Sequence, residues 1–378
     1  MRPLLAVPAG DPADLTVALR AALDGSGPAI LPLAPGAPQP SDLPDEVPVA
    51  TAVVVATSGS SGTPKRVVLS TAALLTSAAA TESALGGPGE WVLALPAHYI
   101  AGVQVIVRSL AAGGEPYAIP PGPFRAETFA AAIDALPAER RRYSALVPTQ
   151  LRRVLDAVAG GEAAVTAAVR RLDALLIGGG RLADAEAERA QSAGIPIVRT
   201  YGASETAGGC VYDGVPLQGV EVRIVDGEVQ LAGPVLADGY LGDPGRTERV
   251  FLAERGRRWY RTGDAGDWDG ERLTVTGRLD DVIVSGGEKV SLAVVEGAVQ
   301  ELPGMADAVV VRAPDAEWGE VPVVMTTAGG TDLPTMRAVI GERLGRAAAP
   351  RRIVVVDPIP LLPNGKPDRV RLTEIAAE

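Results

Sequence analysis

Two short apolar runs, Ala52, Val53, Val54, Val55, Ala56 and then Val67, Val68, Leu69, are separated by only a few residues: Thr57, Ser58, Gly59, Ser60, Ser61, Gly62, Thr63, Pro64, Lys65 and Arg66. Runs this short and this apolar read as buried strands, so the hydroxyl- and glycine-rich stretch between them is confined to a loop at a strand end. Such a loop suits an anion. Glycine permits the backbone angles that turn successive N–H groups toward a ligand, the hydroxyls add donors, and Lys65 adds a point charge. A flexible Gly/Ser linker has the same composition; a linker, however, should separate domains rather than two neighbouring apolar runs. The stretch also departs from the Walker A pattern, where Gly-Lys is followed at once by Ser or Thr. Here Thr63 and Pro64 precede Lys65.

With 378 residues, the chain has length for two to three domains, and 47% apolar residues suit a packed globular interior. A net charge of −11 argues against a nucleic acid or an anionic membrane as partner, so any phosphate site must be built locally. One cysteine, Cys210, excludes an intrachain disulfide and a multi-cysteine zinc site and suits a reducing compartment. One histidine, His98, excludes a multi-histidine metal site. No run is long enough for a membrane helix and no leader pattern opens the chain, so a cytoplasmic location is expected.

Along the chain, residues 4–23 carry apolar positions at helical spacing, and 25–48 form a Pro/Gly-rich connector. Ser70 can cap a helix that ends at Gly86. Strands are expected at 91–95, 144–147, 172–177 and 195–198 with helices between them, the alternation of an α/β sheet. In such sheets ligands bind beyond the strand ends. Three exits are candidates: Gly178, Gly179 and Gly180, where a flat ligand could approach the backbone; the segment Tyr201, Gly202, Ala203, Ser204, Glu205, Thr206; and Tyr260 to Asp264, read as a tight turn bearing a carboxylate. A plain turn or polar loop remains open for each. Residues 219–276 then alternate as short strands of a β-rich subdomain. The last hundred or so residues read as a small α+β module ending in a rigid turn that holds out Lys366.

Taken in this order, five segments resemble the motifs of the adenylate-forming superfamily, the acyl-CoA synthetases, luciferases and peptide-synthetase adenylation domains. They are 57–65, 201–206, 260–264, 277–289 and 363–368. The resemblance implies an α/β adenylate-forming fold with a large N-terminal α/β domain, residues 1–279, carrying the β-rich subdomain, and a small α+β C-terminal lid domain, residues 280–378. Segments 95–110 and 201–214 are similar, more closely, to the o-succinylbenzoate–CoA ligase branch of menaquinone biosynthesis. Only 56 residues precede Thr57, fewer than in most of that superfamily, so a reduced N-terminal subdomain is expected.

That resemblance implies ATP, Mg²⁺ and coenzyme A as cofactor and co-substrates and o-succinylbenzoate as the acid, activated through an acyl-adenylate with release of AMP and pyrophosphate; a homodimer is left open. It implies that Thr57, Ser58, Gly59, Ser60, Ser61, Gly62, Thr63 and Lys65 cradle the β- and γ-phosphates, that Glu205 holds Mg²⁺ and that Thr206 contacts the α-phosphate. Gly178, Gly179, Gly180 and Tyr201 would flank adenine, Asp264 would take the ribose hydroxyls, and Arg278 the ribose or phosphates. Lys366 would bridge the attacking carboxylate and the α-phosphate. His98 would gate the acyl pocket, with Gly202 and Arg108 binding the acid, and Asp280 would be the hinge about which the lid turns for thioester formation. The alternatives are a CoA ligase for another acyl or aryl acid, and a nucleotide-binding regulator without catalysis.

Overall fold

The computed structural model describes residues 1–57, 65–327, 329–362 and 365–378. Ser58, Gly59, Ser60, Ser61, Gly62 and Thr63, six of the residues expected on phosphate, lie outside them. The flanks of that loop are described: Thr51–Thr57 and Lys65–Ser70 pair antiparallel, with Thr57 opposite Lys65. A hairpin closed at its base is not an interdomain linker, which disposes of that alternative.

The described residues build four sheets. In a six-stranded sheet, Arg2–Pro8, Ala29–Leu33 and Thr51–Thr57 run parallel, Lys65–Ser70 pairs antiparallel with Thr51–Thr57, and Gly239–Tyr240 pairs antiparallel with Lys65–Ser70 at the edge. A seven-stranded sheet is parallel from Tyr117–Ala118 through Gly89–Leu93, Arg141–Leu146 and Ala174–Ile177 to Ile197–Ala203, and then turns antiparallel at Gly208–Tyr212. The continuous apolar runs follow from coverage of both faces. In Ala174–Ile177, Ala174 and Leu176 enter one core while Leu175 and Ile177 enter another, the period-two alternation of a strand. The first of these cores also takes in Val53 and Val55 of the six-stranded sheet, Leu74 and Ile106 of the helices Thr71–Ala84 and Ile100–Ala111, and Leu231 and Phe251 of the β-rich sheet. The three sheets are thereby welded into one body.

The β-rich part is an antiparallel sheet of Glu221–Val225, Glu228–Ala232, Arg257–Trp268 and Phe251–Glu254, with Leu273–Arg278 on the far side of the long strand. Beyond Asp281 a further five-stranded sheet carries its own cores: Ile283, Val295, Val310, Met336 and Ile340 on one face, Val311, Val323, Met325 and Leu372 on the other. No helix among the described residues is long and apolar enough to cross a membrane.

Three expectations change. The expected connector 25–48 holds the buried strand Ala29–Leu33, paired parallel with Arg2–Pro8, and the short edge strand Glu46–Val47. Residues 2–8 are a strand, and the helix is confined to Pro12–Asp24, because Asp11 caps it through the Ala13 amide and Pro12 fills its first turn. The segment Tyr260 to Asp264 is not a tight turn but the middle of Arg257–Trp268, bent by Gly263 at φ 70°.

Candidate active site

The C-terminal ends of the parallel strands open on one cavity of about 2050 Å³. Its size exceeds the roughly 300–1,000 Å³ of a site for one small molecule, so it has room for more than one reactant. Thr57, Lys65, Gly178, Tyr201, Asp264 and Lys366 all line it, residues brought from five separate parts of the chain.

Ile197–Ala203 delivers the aromatic and the first polar groups. The Tyr201 hydroxyl donates to Asp264 Oδ2 at 2.6 Å, and Arg278 Nη1 lies 3.3 Å from Asp264 Oδ1. Burial pushes the Asp264 carboxyl above the usual range, against the opposing pull of Tyr201 and Arg278; burial, reinforced by the Asp264 charge, pushes the Tyr201 phenol far above its own. Tyr201 is therefore a fixed donor that aims the carboxylate. Next to it Gly202 is pressed against the antiparallel strand, where a Cβ would collide with the Gly208 carbonyl; its other side faces the cavity. Gly178 is similarly confined, a Cβ there meeting Thr200 Oγ1.

A single turn, Ser204–Thr206, follows, ending on Ala207 at φ 50°. It sets Glu205 on the cavity wall, buried, with one oxygen accepting the Tyr240 hydroxyl at 2.7 Å. Thr206, expected on the α-phosphate, is fully buried instead, and its hydroxyl is taken up by the turn: it accepts from the Ala203 amide at 2.8 Å and donates to the Gly208 carbonyl at 2.7 Å or Ala203 carbonyl at 3.1 Å.

Lys366 arrives from the other end of the chain. Its turn is closed by the Leu362 amide donating to the Lys366 carbonyl at 2.7 Å, and is tied to the large body by Thr149 Oγ1 on the Gly365 carbonyl at 3.4 Å. Its Cε lies against Gly179, 3.6 Å from where a Cβ would stand. The ammonium reaches the cavity's water yet has protein on most sides; this desolvation holds its pKa below the ordinary lysine range, with Asp264 pulling it up and Arg278 pushing it down. Two further contacts seat the C-terminal module in this pose. Arg152 Nη2 donates to the Ala306 carbonyl at 3.0 Å and Arg181 Nη1 to the Ala293 carbonyl at 3.3 Å. Asp280 is gripped from both sides, by a bidentate Arg278 at 2.9 and 3.1 Å and by Arg312 Nη2 on its carbonyl at 2.6 Å.

The opposite wall is the helix Ile100–Ala111. Arg108 is buried there, its guanidinium 5.1 Å over the Trp91 ring and Nη2 3.4 Å from the Tyr212 hydroxyl, while Nε has no hydrogen-bond partner among the described residues. A buried cation so sparsely matched is suited to an anion arriving from the cavity. His98 stands behind that wall. Tyr99 lines the cavity and packs against His98, the rings tilted by 47° with centres 4.2 Å apart; burial lowers the His98 pKa, favouring the neutral imidazole. The sequence reading missed Tyr240 and Glu228, both cavity-lining; Tyr240 follows a glycine in an unremarkable stretch, and nothing in the spacing pairs it with Glu205.

Residues 9–241 match the family model described as AMP-binding enzyme, and 294–366 that of the AMP-binding enzyme C-terminal domain. A protein of Mycobacterium tuberculosis named as a probable 2-succinylbenzoate–CoA ligase is 40% identical over 389 aligned positions, covering 97% of both chains. A 2-succinylbenzoate–CoA ligase of Enterococcus faecalis is 29% identical, over 87% of this chain and 69% of its own. Among solved structures, an arginine-to-lysine variant of E. coli MenE with bound OSB-AMS matches at TM-score 0.77 and 25% identity, covering 100% of this chain and 88% of that one. The amide bond synthetase McbA from Marinactinospora thermotolerans matches at 0.76 and 27%, covering 99% and 80%.

Proposed function

The chain belongs to the AMP-binding enzymes, the adenylate-forming family, and from that premise we propose that it ligates 2-succinylbenzoate to coenzyme A through an acyl-adenylate, releasing AMP and pyrophosphate. The observation that carries the reading is Lys366, set on Gly179 in the cavity that Asp264 and Glu205 share.

Adenylation brings a carboxylate up to the α-phosphate, two anions that repel, so catalysis is positioning and charge neutralisation. Asp264, aimed by Tyr201 and Arg278, accepts the two ribose hydroxyls; the bare backbone of Gly178, Gly179 and Gly180 and the Tyr201 ring flank adenine. Thr57 and Lys65 line the cavity where the β- and γ-phosphates are taken, a role that the sequence extends to Ser58, Gly59, Ser60, Ser61, Gly62 and Thr63. The buried Glu205 carboxylate, one oxygen fixed by Tyr240, fits Mg²⁺, whose nucleotide sites take one or two carboxylates plus phosphates. Bound there, the ion would neutralise phosphate charge. Thr206 shapes the turn that presents Glu205. Lys366 then spans the attacking carboxylate and the α-phosphate.

Arg108 reads the acid's second carboxylate, Gly202 lines the acyl pocket, and His98 backs Tyr99 as its gate. We divide the molecule at Asp280 into domains of residues 1–279 and 280–378. Once the adenylate has formed, release of the Arg278 and Arg312 grip on Asp280 lets the smaller domain turn, withdrawing Lys366 and presenting the segment Ser285, Gly286, Gly287, Glu288, Lys289 to the thiol. The reaction belongs in the cytoplasm, where ATP and coenzyme A are supplied.

A pyrophosphate-release assay across carboxylic acids tests the substrate. With ATP and Mg²⁺, 2-succinylbenzoate is expected to exceed benzoate and succinate, each lacking half its recognition elements, by at least about 100-fold in kcat/KM, since a site built for a charged group rejects analogues lacking it. Preference for a monocarboxylic aryl or alkyl acid would assign the chain to another CoA ligase of the family.

A further inference from the structure

Behind Asp264 lies a second buried carboxylate with no place in the mechanism above. Glu228 opens the strand Glu228–Ala232 and is only 6% exposed. Its Oε1 accepts the Gly263 amide at 3.0 Å, and its Oε2 accepts Arg261 Nε at 2.8 Å and, more weakly, Gln230 Nε2 at 3.5 Å. The ladder between the two strands shifts register between Glu228 and Gln230, so the Gly263 N–H is not held by a strand partner; the Glu228 side chain holds it instead.

The bend at this point is what sends the Asp264 side chain into the cavity. Gly263 has φ 70°, which a residue with a Cβ adopts only at a cost, and a Cβ there would stand 3.2 Å from Arg278 Nη2. The next amide, that of Asp264, donates to Thr262 Oγ1 at 3.0 Å, whose hydroxyl in turn donates to the Val229 carbonyl at 2.7 Å. Thr262, Gly263 and Asp264 are thus pinned to Glu228 and Val229 by side-chain bonds. Arg261 alone does not explain a buried carboxylate, because its own side chain is half exposed to water and needs no such partner. The oxygen on Gly263 is the part that requires a reason.

We infer that Glu228 is a positioning residue for nucleotide recognition: by holding the Gly263 amide it keeps the Asp264 carboxylate at the angle that accepts the ribose hydroxyls. This rests on the assignment of Asp264 to the ribose. The two can be separated by crossing a protein variant with a nucleotide variant, reading pyrophosphate release with ATP and with 2′,3′-dideoxy-ATP. Glu228→Gln preserves shape but sets an NH₂ against one of two donors, Gly263 N–H or Arg261 Nε–H. Loss of one charge-assisted bond predicts a KM for ATP raised roughly ten-fold, with kcat and the KM for the acid within about two-fold of wild type. With the dideoxy nucleotide, already weak in the wild type, Glu228→Gln is expected to add no further loss. Glu228→Asp, too short to reach both partners, should fall between; because KM does not depend on the amount of folded enzyme, it serves equally if the glutamine variant folds poorly. Equal loss on both nucleotides, or full discrimination retained by the variants, would overturn the inference alone. No discrimination by the wild type would overturn the ribose assignment and the inference with it.

Discussion

Replacing Lys366 by alanine is expected to reduce acyl-adenylate formation by about 10²–10³-fold, the range for removing one preorganised charge from a transition state. Thioester formation from supplied acyl-adenylate and coenzyme A should stay within a few-fold of wild type. The asymmetry follows from placement: Lys366 sits on a turn of the C-terminal module, held over Gly179 by the Thr149 contact, and contributes only while that module is seated. The fold should not suffer. With a pKa depressed in the native state, the unfolded chain binds the lysine's proton more tightly, so this group's contribution to stability increases with pH, and removing its charge costs no electrostatic stability at neutral pH. The same direction sets a pH profile. The ammonium loses its proton below the ordinary lysine value of 10.5, so kcat/KM for ATP, which reports the free enzyme, should decline on the alkaline side before that pH. Lys366→Arg should remove that alkaline limb, because a guanidinium remains charged. Equal loss of both half-reactions in Lys366→Ala would contradict the two-pose mechanism.

The second large effect is at Asp264. Asp264→Ala removes the acceptor of the Tyr201 hydroxyl and one of the two carboxylate partners of Arg278, leaving a half-buried phenol without its bond. A loss of about 1–3 kcal/mol in unfolding free energy is expected by chemical denaturation. The KM for ATP should increase by about 100-fold or more, the size of two lost hydroxyl bonds to a charged acceptor at roughly 1.5 kcal/mol each, while the KM for the acid stays put. Because burial raises the Asp264 pKa, ATP affinity should also begin to fall on acidification at a higher pH than an ordinary aspartate would give. An unchanged KM for ATP in Asp264→Ala would remove this residue from the ribose.

What the sequence made legible was whatever is written in neighbouring residues. The strands Thr51–Thr57 and Lys65–Ser70 and the Ser70 cap follow from local pattern and capping chemistry. Local pattern also misled. In residues 2–8 the alternation of buried Leu4 with exposed Leu5 was masked by the helix that follows, although Asp11 and Pro12 marked its start. Around Gly263, a Gly-Asp pair suggested a turn where the chain makes a bend within a long strand. Contacts across strands were silent: Tyr240 to Glu205, Glu228 to Gly263, and the burial of Thr206 each join positions whose meeting depends on sheet register or tertiary packing. Lys366 lay between these cases, visible as a residue held out by a Pro/Gly turn but not as one lodged against Gly179.

Product analysis with ATP, Mg²⁺, coenzyme A and 2-succinylbenzoate tests the ligation most directly. Thioester and AMP are expected in equal amounts, with AMP dependent on the acid. Formation of ADP, or no AMP above the acid-free reaction, would contradict it.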